Sequence, residues 1–70
     1  MRTAPIHLTV NGEPRESQAE TLAELIELED FGSTKVATAV NGAFVPARER
    51  DARHLSEGDR IEILSARQGG

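Results

Sequence analysis

An Asn-Gly pair occurs twice in this chain, at Asn11-Gly12 and at Asn41-Gly42, each time directly after five residues with the pattern of a half-buried strand. In Ile6–Val10 apolar and polar residues alternate; in Val36–Val40 every second residue is β-branched. Both central positions of a tight hairpin want positive φ, and asparagine and glycine are the residues that tolerate it. Two hairpins are therefore predicted. The first returns through residues 13–18, a polar segment whose Pro14 cannot donate to a sheet ladder and so marks an edge. The second returns through Ala43–Val45 and stops at Pro46.

A helix is predicted between the hairpins. Thr21-Leu22-Ala23-Glu24 has the spacing of a capping box, in which the threonine oxygen and the glutamate three residues on satisfy backbone amides that have no helical partner. Leu22, Leu25 and Ile26 make a narrow apolar stripe with Leu28 on its flank. Glu20, Glu24 and Glu27 are expected to face solvent, and Gly32 stands in the position of a C-terminal cap. Residues 47–54 are mixed in charge and aperiodic, with Leu55 expected to be the loop's single anchor to the core. After a turn at 56–59, residues 60–64 form a fifth strand with Ile61 and Ile63 toward the helix and Glu62 and Leu64 on the opposite face.

The order strand, strand, helix, strand, strand, strand implies an α+β fold, a mixed five-stranded sheet with one main helix packed on one face. This is the β-grasp (ubiquitin-like) order. Residues 1–64 are expected to form the domain, and residues 65–70, which carry no core-forming pattern, a flexible tail ending in Gly69-Gly70.

Several functions are disfavoured by composition. Seventy residues make one domain without room for a deep cleft. Twelve acidic against eight basic residues, with Phe31 and Phe44 the sole aromatics, provide neither a phosphate-tracking patch nor base-stacking platforms, so no nucleic-acid partner is expected. No apolar run is long enough to span a bilayer and the start lacks a signal-peptide pattern; no membrane partner and a cytoplasmic location are expected. His7 and His54 have no cysteine to complete a zinc set, and no serine has a histidine at a nucleophile spacing. A non-catalytic protein with no bound metal or cofactor, monomeric when free, is the expectation.

Together, Val10-Asn11-Gly12-Glu13, the segment Val36-Ala37-Thr38-Ala39-Val40-Asn41-Gly42 with Val45-Pro46, the turn Glu57-Gly58-Asp59-Arg60-Ile61-Glu62-Ile63 and the ending Gln68-Gly69-Gly70 carry a resemblance. Over nearly its whole length the chain resembles the ThiS-type sulfur carriers of thiamine synthesis. The resemblance implies that an E1-like adenylating enzyme uses ATP to convert the Gly70 carboxylate to an acyl-adenylate. Sulfur from a persulfide protein then displaces AMP, and the thiocarboxylate supplies sulfur to thiazole synthase. Two related roles remain alternatives, the small subunit of molybdopterin synthase and a ubiquitin-like modifier that joins Gly70 to a lysine. A third is a plain β-grasp binding module with an inert tail. The sequence departs from the family pattern at Thr38, where an apolar residue is usual, at the slightly extended start, and at Arg67, which is more basic than its usual counterpart.

Glycine suits this chemistry because a residue without Cβ can thread a narrow channel and approach a phosphate closely. Gly70 would be the modified residue and Gly69 would give access. Leu64, Arg67 and Gln68 are expected to form part of the surface by which a partner recognises the tail.

Overall fold

The computed structural model describes residues 3–29 and 35–65. Five strands form one sheet: β1 (Ile6–Val10), β2 (Glu13–Ser17), β3 (Val36–Val40), β4 (Ala43–Val45) and β5 (Arg60–Ser65), in the spatial order β2-β1-β5-β3-β4. The last strand thus lies at the centre, parallel to β1 and antiparallel to β3. One helix, α1 (Leu22–Leu28), covers one face. This is the β-grasp arrangement predicted from the element order.

Both Asn-Gly turns form as expected, with φ of 54° and 84° at Asn11 and Gly12 and 53° and 85° at Asn41 and Gly42. A Cβ at either glycine would meet nothing within 4 Å, so glycine is required there by the backbone angle and not by space. The side chains of the two asparagines reach β5. Asn41 donates from Nδ2 to Asp59 Oδ1 (3.0 Å) and accepts from the Arg60 amide (2.9 Å).

The helix begins as the capping box requires: the Glu24 amide donates to Thr21 Oγ1 at 3.2 Å. The Glu24 carboxylate accepts from the Glu20 amide at 2.7 Å, one residue before the cap, so Glu24 is half-buried and not simply turned to solvent. Leu22 and Leu25 are fully buried, Ile26 packs partly against the core, and Leu28 is exposed, as the narrow stripe implied. The helix ends with Glu29 as its C-cap; Gly32 lies outside the described residues. β2 stops at Ser17, one residue short of its expected end.

The loop after β4 is held far more firmly than its sequence indicated. Leu55 is buried, but it is not the single anchor. A helix start leaves backbone donors without helical acceptors, and the loop supplies them: Leu22 donates to the Arg53 carbonyl (2.9 Å) and Ala23 to the Arg50 carbonyl (3.2 Å). Residues Ala47–Glu49 form a short 3-10 turn, and Thr21 bridges to His54. Arg50 turns inward, its Nε donating to Thr38 Oγ1 (3.1 Å) and its Nη2 to the Val36 carbonyl (2.6 Å). That contact accounts for the polar residue at Thr38. Buried at 2% exposure, its hydroxyl donates to the Val45 carbonyl (2.7 Å) and accepts from Arg50, so both of its roles are filled.

The core joins Leu8 and Val10 of β1, Val40 and Val45 of the second hairpin, Ile61 and Ile63 of β5, and Leu22, Leu25 and Leu55. On the exposed side of the first hairpin, His7 sits between two carboxylates, with Nε2 2.9 Å from Glu16 and Nδ1 3.1 Å from Glu57. The His7 amide also donates to Glu57 Oε1 at 2.9 Å, and chiefly this bond holds the Glu57 carboxyl below its ordinary value of 4.5, against the opposing effect of desolvation. A carboxyl lowered in the folded state stabilises above its unfolded pKa and loses that contribution as pH falls through the folded value. Glu57→Gln should therefore be less stable than the parent near neutrality, with the gap narrowing as pH falls below 4.5. Urea midpoints measured across that range check this; a gap independent of pH would contradict it.

Candidate functional site

The strand that leads to the C-terminus is fixed from both sides. Against β3 its register runs from Val40↔Ile61 to Val36↔Ser65, one residue beyond the expected end at Leu64. Against β1 the strand-to-strand register covers Thr9↔Arg60 and Val10↔Ile61. There the turn takes over: the Asn11 amide donates to the Ile61 carbonyl (2.8 Å), and its side chain then pairs with the next peptide. Asn11 Oδ1 accepts from the Ile63 amide (2.8 Å) and Nδ2 donates to the Ile63 carbonyl (3.1 Å). The carboxamide acts as one more strand residue, so β5 is held on the β1 side up to Ile63.

Strand alternation puts Ile61 and Ile63 in the core and Glu62 and Leu64 on the open face, as predicted. Leu64 is 67% exposed and uncovered by the loop, which packs on the other face. It borders a shallow groove of about 380 Å³ with Asn11, Ala37, Ala39, Phe44 and Glu62. Phe44, 69% exposed, was not among the residues singled out from the sequence. The signal was available, because an inward Val45 in a three-residue strand forces Phe44 outward.

Arg67, Gln68, Gly69 and Gly70, the remaining site residues expected from the sequence, lie outside the described residues. Among the described residues, no group of three histidine, cysteine, aspartate or glutamate side chains could hold a metal ion. His7 and His54 lie on different elements, the first in its carboxylate pair and the second in the bridge to Thr21.

Comparison with known proteins gives a consistent result. The family model described as "ThiS family" matches residues 8–70. The chain is 34% identical over 61 residues to the sulfur carrier protein ThiS of Thermus thermophilus, covering 87% of this chain and 95% of that one. It is 30% identical over 66 residues to the uncharacterized protein ycf40 of Porphyra purpurea, covering 93% of each. The crystal structure of the thiamine biosynthesis protein ThiS from Geobacter metallireducens superposes with a TM-score of 0.75 at 32% identity, covering 93% of this chain and all of that one. With the family pattern matched from β1 to the terminal diglycine, and the fold matched by a solved relative, the chain belongs to the ThiS family.

Proposed function

We propose that this protein is a sulfur carrier for thiazole formation in thiamine biosynthesis, acting as a co-substrate through the carboxylate of Gly70. The observation that carries the reading is the family match extending from β1 through Gly70. A terminal carboxylate, with an ordinary pKa of about 3.3 to 3.7, is ionised at neutral pH and a poor electrophile. Adenylation by an E1-like enzyme with ATP expels pyrophosphate and leaves AMP as a good leaving group on the acyl carbon. A persulfide sulfur then attacks that carbon, AMP departs, and reductive cleavage of the resulting acyl disulfide by a thiol leaves the thiocarboxylate for thiazole synthase.

The cytoplasm, where ATP and reducing thiols are abundant, is the proposed location. Among the described residues no helix is long and apolar enough to cross a membrane. In the proposed complex the body stays outside the partner's active site and the tail enters it. Residues 66–70, at about 3.3 to 3.6 Å each, reach roughly 17 Å past β5 when extended. The open face around Leu64 is the natural docking surface, since it adjoins the root of that tail, with Arg67 and Gln68 next in line. The names of the Thermus and Geobacter relatives favour the thiamine role over molybdopterin synthesis. Lys35 is the chain's sole lysine, which limits self-conjugation of the kind a modifier undergoes.

Intact-mass analysis after incubation with an E1-like enzyme, ATP and a persulfide donor tests the proposal. One oxygen-to-sulfur exchange on the C-terminal peptide is expected. Absence of both the adenylate and the exchange would overturn it.

A further inference from the structure

The groove on the open face has a defined cross-section. In the sheet order β3 lies between β5 and β4, and the registers Ala39↔Glu62 and Ala39↔Phe44 put Glu62, Ala39 and Phe44 in one row across the three strands. The next row along β3 pairs Ala37 with Leu64. Neighbouring strands are about 4.8 Å apart, so the Glu62 and Phe44 backbones stand roughly 10 Å apart over a floor of alanine. One end of the row is a carboxylate, the other an aromatic ring, and the floor is low and apolar.

Among the described residues, the Glu62 side chain has no hydrogen-bond or ion-pair partner. Arg60, two residues back on the same face, does not pair with it. A partner that covered Phe44, Leu64 and the two alanines with apolar surface alone would strip water from an unpaired carboxylate, which is strongly unfavourable. The face therefore selects against a purely apolar partner as well as for an apolar one with a cation in the right place.

Resting on the docking reading above, we propose that the partner seats an arginine in this row. Its aliphatic stem lies over Ala39, its guanidinium packs near the Phe44 ring and forks onto Glu62, and apolar neighbours cover Leu64 and Ala37. Arginine fits better than lysine because a planar guanidinium both stacks on an aromatic face and matches a carboxylate at two points.

The test is the affinity of the full chain for the purified E1-like activating enzyme of the same organism, measured by calorimetry at low and high salt. All substituted positions are exposed, and matching thermal melts confirm that the variants fold. Glu62→Gln is expected to weaken binding about 10-fold and flatten its salt dependence, and Glu62→Arg to weaken it about 100-fold. If Leu64→Asp weakens binding while Glu62→Gln leaves affinity and salt dependence unchanged, the arginine seat is overturned and the docking face stands. If Leu64→Asp and both Glu62 variants bind like the parent, the docking face falls and the arginine seat with it.

Discussion

A chain lacking Gly70 should lose thiocarboxylate formation by at least about 100-fold while its body folds unchanged. The deletion leaves Gly69 as a terminal glycine, so the chemical identity of the end is preserved and reach alone is altered. One residue fewer draws the reacting carbon back by about 3.3 to 3.6 Å. Displacement of even 1 Å from an in-line geometry can cost roughly 100-fold, because bound reactants must meet within a narrow range of distance and angle. The proposed docking face lies on the sheet, so binding should change little and the loss should appear in the rate of adenylation at saturating protein. Pyrophosphate release measured for the parent and the shortened chain checks this. A shortened chain adenylated at the parent rate would mean that the reach of the tail does not limit the reaction.

Ile61→Ala should have the largest effect on stability. Ile61 is 1% exposed on the central strand, paired with Val10 on one side and Val40 on the other. Truncating a buried isoleucine costs about 2–5 kcal/mol, from lost transfer energy and the cavity left behind. A domain of 70 residues has a total stability of roughly 4–10 kcal/mol. A change of that size takes away a large part of it and should lower the melting temperature by about 10 °C or more. Leu64→Ala, three positions along the same strand but on the open face, should stay within about 0.5 kcal/mol. Urea and thermal unfolding of the two variants separate these cases; an Ile61→Ala protein that melts with the parent would contradict the core assignment.

The parts of this fold that were legible in the sequence are those fixed by neighbours in the chain. The turns at Asn11-Gly12 and Asn41-Gly42, the cap at Thr21 and the alternation in β5 each depend on a few consecutive residues, and each formed as expected. The rest depended on pairs far apart in sequence. Arg50 reads as one charge in a hydrophilic loop until the fold brings Thr38 to its guanidinium, twelve residues away. His7 and Glu57 are fifty residues apart and meet because β5 returns beside β1. For the same reason Leu64 could be assigned to the open face, whereas Phe44 and Glu62 could not be put in one row. That row is set by two strand registers, which no local pattern specifies. The diglycine end belongs to the residues outside those described, and its chemistry is the subject of the proposal above.

The central position of β5, clasped by Asn11 on one side and β3 on the other, has a mechanical consequence. A pull applied along β5 runs across its ladder bonds. Those bonds resist together as a shear joint and do not open one after another as at a peeled edge. A partner of the proposed kind could therefore pull along β5 without unravelling the body.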